Sequence, residues 1–188
     1  MPQLTVISGP NGSGKTSVVG QLDYEGRENL LDPDAIARRM NPEDIHRAAV
    51  AAGREVIRRT REYLEAGVSF AIETTLSSSS ILETMRAARE RGFTVYLIYV
   101  CLDTPERNVQ RVGERVSRGG HDVPPVDVRR RYERSLMNLG PALKLADEAR
   151  VYDNSGERPR KVLEARDGAI VWRDDNPPAW VVASALSH

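Results

Sequence analysis

Short runs of apolar and β-branched residues alternate along this chain with longer stretches in which apolar positions recur every three or four residues. The first run, QLTVIS at residues 3–8, stops at Gly9; Val18, Val19 and Leu22 follow at helical spacing, so the chain opens as strand, glycine loop and helix. Residues 29–31 predict a second short strand. The DPD after it sets Pro33 in the first turn of a helix carrying Ile36 and Met40, and leaves two carboxylates, Asp32 and Asp34, in the intervening loop. Ala49, Ala52, Val56, Thr60 and Tyr63 predict a long helix that begins at Ile45 and is ended by Gly67.

The run VSFAI at residues 68–72 predicts a third strand. Ser80 and Glu83 then form a capping-box pair ahead of Ile81, Leu82, Met85 and Ala88. Residues 94–102, TVYLIYVCL, are almost continuously apolar, as a strand buried on both faces at the centre of a parallel sheet must be. Thr104 and Pro105 supply a cap and a first-turn proline for a helix that breaks at Gly119 and Gly120, and a second helix with Val128, Tyr132, Leu136 and Leu139 follows Pro124 and Pro125. Residues 149–152 predict a fifth strand, and residues 161–164 with 169–172 a hairpin turning at Asp167 and Gly168. The final segment, PPAWVVASALSH, has no assignment. Strand and helix alternate as in βαβ units. The expected fold class is therefore α/β: a three-layer sandwich around a mainly parallel five-stranded sheet with a small C-terminal hairpin, one domain over residues 1–188.

Composition narrows the partners. Lys plus Arg and Asp plus Glu are each 27, so the basic excess of a dedicated nucleic-acid binder is missing. Apolar residues make up 40% and charged residues 29%, and the longest apolar run falls far short of a membrane span. The single cysteine, Cys101, excludes an internal disulfide, and residues 1–9 lack the pattern of a secretory signal, so a cytoplasmic location is expected.

Residues 9–16 read GPNGSGKT, the G-x-x-x-x-G-K-[ST] pattern, placed after a predicted strand and before a predicted helix. Glycines let successive backbone N–H groups curl around phosphate, and a helix N-terminus adds a favourable dipole. Gly9, Pro10, Asn11, Gly12, Ser13, Gly14, Lys15, Thr16 and Ser17 are therefore the expected nucleotide cradle, with Lys15 on the β- and γ-phosphates and the Thr16 hydroxyl on Mg²⁺. No N-K-x-D string points to guanine, and DNSG at residues 153–156 comes too late to be a switch. Motor and AAA-type ATPases end a strand in an acidic pair, whereas Asp103 follows the central run alone. A small-molecule or nucleotide kinase is the leading class.

Phosphoryl transfer also needs a carboxylate near the acceptor hydroxyl, cations on the transferring group and a means of excluding water. Asp34 lies beyond the second strand, beside the crevice at the strands' carboxyl ends, and is the expected general base; its alternative role is to cap the helix that follows. Glu73, Thr74 and Thr75 follow the third strand and suit a polyhydroxylated acceptor, Glu73 having as alternative an ion pair with an arginine. Eight arginines lie between Arg107 and Arg134. Arg118, beside Gly119, Gly120 and His121, and Arg131, at the start of the next helix, are the expected cations of a lid over residues 111–131, where the guanidinium fork would hold phosphate oxygens. His121 is a candidate acceptor contact or a structural loop residue.

GPNGSGKT, DPDAIA at residues 32–37, ETTLSS at 73–78, RGGHDVP at 118–124 and RRRYERSLMNL at 129–139 together resemble the zeta toxin and UDP-N-acetylglucosamine kinase family of P-loop kinases, over residues 3–155. The resemblance implies ATP or GTP with Mg²⁺ as donor and the 3′-hydroxyl of the sugar unit in UDP-N-acetylglucosamine as acceptor. It assigns Lys15 and Thr16 to donor and metal, Asp34 to proton removal, Glu73 and Thr75 to the acceptor, and Arg118 and Arg131 to the transferring phosphate. An antitoxin protein is an implied partner. Two positions depart from the family pattern: Asp32 stands where asparagine is common, and Ser77 where arginine is common. Another small-metabolite kinase and an ATP-dependent binding module without transfer are the competing readings.

Overall fold

The computed structural model describes residues 1–120 and 122–186. Its strands are β1 (Gln3–Ser8), β2 (Leu30–Leu31), β3 (Phe70–Thr74), β4 (Thr94–Cys101), β5 (Glu148–Asp153), β6 (Arg160–Arg166) and β7 (Ala169–Arg173), in one sheet of order β2-β3-β1-β4-β5-β6-β7. The five strands from β2 to β5 are parallel neighbours, and β6 and β7 join β5 antiparallel. The expected five-stranded sheet with a separate hairpin is corrected accordingly. The hairpin hydrogen-bonds onto β5 and buries Val162, Leu163 and Ala165 beside Val151, so β5 is not left as a bare edge. Its turn has φ of 50° at Asp167 and 75° at Gly168, the left-handed pair that a two-residue hairpin demands.

The helices among the described residues are α1 (Lys15–Val19), α2 (Pro33–Met40), α3 (Ile45–Ala66), α4 (Ser80–Glu90), α5 (Pro105–Val116), α6 (Pro125–Leu145) and α7 (Ala179–Val181). One sheet face, with Leu4, Val6, Phe70, Ile72, Leu97 and Tyr99, packs against Leu64 of α3, Met85 of α4, Leu139 of α6 and Trp180 of α7. The other carries a smaller cluster in which Ile7, Tyr96, Ile98 and Val100 meet Val18 and Val19 of α1. None of the helices among the described residues is long and apolar enough to cross a membrane.

Local differences from the sequence expectation have local causes. The first helix stops at Val19 because Gly20 follows, and Gln21 and Leu22 continue only in tight turns, their N–H groups reaching Val18 and Val19 oxygens. The third strand starts two residues late because Val68 N–H closes α3 on the Tyr63 oxygen, next to Gly67 at φ 64°; Glu73 and Thr74 therefore lie within β3. The Ser80–Glu83 capping box does not form: Ser79 is the cap position, and Ser80 N–H is taken by Ser78 Oγ at 3.2 Å. On α3 the buried small positions are Ala48 and Ala52 rather than Ala49 and Ala52. Residues 179–186, unassigned from sequence, coil against α6 and bury Trp180, Val181, Ser184 and Ala185.

Candidate active site

Parallel pairing sets Ser8 beside Thr74 and Ile7 beside Glu73, so the loop after β1 and the end of β3 open at the same rim of the sheet. β2 pairs with β3 on its other side and delivers residues 32–34 to that rim. There Asp32, not Asp34, caps α2: its carboxylate accepts from Asp34 N–H at 2.9 Å and Ala35 N–H at 3.2 Å. The Asp34 side chain, exposed in the first turn, is left to face a cavity.

The loop over residues 9–16 is held from outside. Asn108 of α5 donates to the Asn11 oxygen at 2.6 Å, Asn154 beyond β5 donates to the Ser13 oxygen at 2.8 Å, and Arg131 of α6 donates to Asn11 Oδ1 at 3.1 Å. Gly9 (φ 139°) and Gly14 (φ 88°) admit no side chain: a Cβ would stand 1.9 Å from the Val100 oxygen at the first and 2.3 Å from Asn154 Nδ2 at the second. Inside the curl the Ser13 hydroxyl is buried without a hydrogen-bond partner. A cradle of this shape, with an orphaned donor at its floor, fits a phosphate chain.

Lys15 is buried, its Nζ donating to the Gly9 oxygen at 2.9 Å and the Pro10 oxygen at 3.3 Å, with Glu73 Oε1 at 3.8 Å. Burial lowers the Lys15 pKa, against the opposing pull of Glu73 and Asp34, and burial raises that of Glu73 against the pull of Lys15. Glu73 thus pairs with Lys15.

Two cavities flank this pair. One, of about 580 Å³, is lined by Gly12, Gly14, Lys15, Thr16, Ser17, Glu73, Arg111, Glu114, Arg115, Arg118, Gly119, Gly120 and Asn154. The other, of about 340 Å³, is lined by Asn11, Gly12, Lys15, Asp32, Pro33, Asp34, Glu73, Thr74, Thr75, Ser77, Arg115 and Arg131. The structure thus brings the loop residues, Asp34, Glu73 and Thr75 to one rim, with Arg118 on the first side and Arg131 on the second. Arg131 lies well inside α6 rather than at its start. His121 falls outside the described residues. Asp103 is in ion-pair contact with Arg107 at 3.3 Å and lines neither cavity.

Sequence reasoning missed Asn108, Asn154, Arg111 and Arg115. Asn154 sits in the DNSG string, which comes too late in the chain to read as a switch, and the arginines stand in sequence only as members of a charged helix. Arg111 donates to the Asn154 oxygen at 2.9 Å, and Arg115 lines both cavities.

A mainly parallel sheet whose first strand runs into this loop, with carboxylates and arginines gathered over it, defines a P-loop nucleotide-binding α/β protein. Residues 4–139 match the AAA domain family, and the chain belongs to it. The match is at the level of the P-loop domain, and Asp103 stands without an acidic neighbour in sequence. An uncharacterized protein of Haemophilus influenzae is 36% identical over 124 residues, 66% of this chain and 88% of that protein. Among solved structures, the AvrRxo1-ORF1:-ORF2 complex with ATP is similar with a TM-score of 0.70 at 14% identity, over 90% of this chain and 60% of that one. A structure from the PezAT toxin–antitoxin system of Streptococcus pneumoniae is similar with a TM-score of 0.63 at 16% identity, over 97% of this chain and 75% of that one. The shared property is the fold; the chain spans about 60% of the AvrRxo1 chain's length.

Proposed function

We propose that the chain is a kinase that moves the γ-phosphoryl of ATP to a hydroxyl of a small acceptor, with Asp34 as general base. The observation that carries this reading is that Lys15 and Asp34 line one cavity, of which Lys15 also walls the loop-side neighbour. The cradle of residues 9–16 holds the donor phosphates, and Lys15 exchanges its loop carbonyls for phosphate oxygens. The Thr16 hydroxyl and the donor phosphates would hold Mg²⁺, which when bound neutralises charge on the β- and γ-phosphates. Glu73 and Thr75 orient the acceptor hydroxyls. Asp34 accepts the hydroxyl proton as the alkoxide oxygen bonds to phosphorus and the bond to the β-phosphate oxygen breaks, releasing ADP. Arg118 and Arg131, from opposite sides, balance the charge on the group in flight, and residues 111–131 act as the lid that excludes water.

The resemblance to zeta toxins makes UDP-N-acetylglucosamine the proposed acceptor, GTP an alternative donor and an antitoxin covering the donor cavity the proposed protein partner. The similar AvrRxo1 and PezAT structures support such a partner, being by name a two-protein complex and a toxin–antitoxin system. Asp32 and Ser77, the two departures from the family pattern, both line the second cavity and favour a related metabolite as the second reading.

Mass spectrometry of small metabolites incubated with protein, ATP and Mg²⁺ tests both: one added phosphate on UDP-N-acetylglucosamine supports the first, on another metabolite the second, and intact ATP with no product leaves a binding module. Asp34→Asn is expected to keep nucleotide affinity while slowing transfer ~10²–10⁴-fold, whereas Lys15→Ala loses both. Equal turnover by wild type and Asp34→Asn removes Asp34 as the base.

A further inference from the structure

A peptide unit is planar, and in the trans form found throughout the described residues its C=O and its N–H point opposite ways. Whatever grips the oxygen of one loop residue therefore aims the N–H of the next. Two asparagines from outside the loop do this. Asn108 Nδ2 donates to the Asn11 oxygen at 2.6 Å and so turns the Gly12 N–H away from α5; Asn154 Nδ2 donates to the Ser13 oxygen at 2.8 Å and so turns the Gly14 N–H away from the segment after β5. Both glycines wall the cavity of about 580 Å³ over the loop. Among the described residues neither of these N–H groups has an acceptor, whereas the Ser13 N–H between them is taken by the Pro10 oxygen at 3.2 Å.

The anchors are themselves held. Asn108 is fully buried on α5, so close to the loop that a Cβ on Gly12 would stand 2.7 Å from its backbone oxygen. Its Oδ1 is buried without a hydrogen-bond partner among the described residues, which costs stability, so what this amide contributes is the bond it donates. Asn154 is fixed through its backbone: its N–H reaches the Cys101 oxygen at 2.9 Å, and its oxygen accepts at 2.9 Å from Arg111, one turn along α5 from Asn108. Arg131, by contrast, holds the Asn11 side chain and leaves the direction of the peptide to Asn108. Donors already aimed and left unpaired bind an anion without the loop having to turn its peptides when phosphate arrives.

We propose that Asn108 and Asn154 are positioning residues of the donor site, each acting through one planar peptide: Asn108 aims the Gly12 N–H and Asn154 the Gly14 N–H at the phosphate chain. Neither side chain touches phosphate in this role. The stem of the lid, α5, thereby sets the affinity of the cradle, directly through Asn108 and by way of Arg111 through Asn154. This rests on the donor half of the kinase reading and not on its acceptor.

Wild type, Asn154→Ala and Asn108→Ser are compared in two measurements that need no acceptor. In calorimetric titrations with Mg²⁺, each variant is expected to bind ATP and inorganic triphosphate about fivefold more weakly, the loss of one neutral hydrogen bond, and by the same factor for both ligands because the loss lies in the phosphates. Unchanged affinities, or a loss confined to ATP, overturn the proposal. In amide NMR spectra, the downfield shift that triphosphate induces at Gly14 is expected to shrink in Asn154→Ala while that at Gly12 is kept, and the reverse is expected in Asn108→Ser. A merely loosened fold would move both signals in either variant, and that result also overturns the proposal. Asn108 is fully buried and Asn154 only half-buried, so Asn154→Ala carries the test where Asn108→Ser does not fold. Wild type that binds neither ligand removes the donor site and these roles with it. Wild type that binds both yet phosphorylates no acceptor ends the kinase reading alone, and the pattern of glycine shifts still decides the two asparagines.

Discussion

Single residues set the chemistry here through burial. Cys101 is buried in β4, where its thiol donates to the Leu102 oxygen at 3.3 Å, and loss of solvent pushes its pKa from 9.0 up to about 12. Between those values the unfolded thiol gives up its proton while the folded one keeps it. The native state then binds more protons than the unfolded one, and stability falls as pH rises, by at most ~1.4 kcal/mol per pH unit for this group. Cys101→Val is expected to flatten the decline of the urea midpoint between pH 9 and 11, and an unchanged slope refutes the account; Tyr99, raised by the same burial, keeps part of it. At this scale the loop residues were legible because their pattern is continuous in sequence, and the place of Asp34 because it directly follows a short predicted strand. Asn108, Asn154 and Arg115 were not, since each reaches the site from a separate element and its neighbours in sequence say nothing of where it points.

Elements follow their own rules where a special backbone conformation is needed. Asp167 and Gly168 announced the hairpin because few residues tolerate two left-handed positions in succession. Gly168→Ala adds a Cβ 3.0 Å from the Lys144 oxygen at φ 75°, and is expected to lower stability by ~1–2 kcal/mol, measured by denaturant unfolding; a loss below a few tenths would show that the turn relaxes freely. The β4 run read correctly as the sheet centre for a related reason: only a strand covered on both faces carries so few polar groups. The start of β3 was misplaced because Val68 reads as strand by type yet is consumed in closing α3. That the hairpin joins β5 was not legible at all, since strand signals do not encode which edge a strand meets.

On the scale of the whole molecule, the segment beyond β7 proves structural. Trp180 lies 6.0 Å from the Tyr99 ring and Ser184 Oγ donates to the Trp180 oxygen at 2.6 Å, which closes the core below α6. Tyr99 in turn shares a hydrogen bond with Ser135 of α6 at 3.0 Å, and Tyr132 donates to the Leu102 oxygen at 2.9 Å. The helix that carries Arg131 is thereby fixed to the central strand. Trp180→Ala is expected to cost ~3–5 kcal/mol in urea unfolding, reduced by the fact that the indole N–H is buried without a partner; a cost below about 1 kcal/mol would mean that the tail is ornamental. Neither periodicity nor composition marked this segment, because its eight residues pass from α to π geometry and complete no amphipathic repeat.

The partition between the two cavities over the loop is made of charge: Lys15, Glu73 and Arg115 each face both. An occupant on one side therefore changes the field that the other side presents, and thermodynamic linkage returns the favour in equal measure. Whatever factor a nucleotide imposes on the affinity of its companion, the companion imposes on the nucleotide, so the sequence of arrival is left to rates alone.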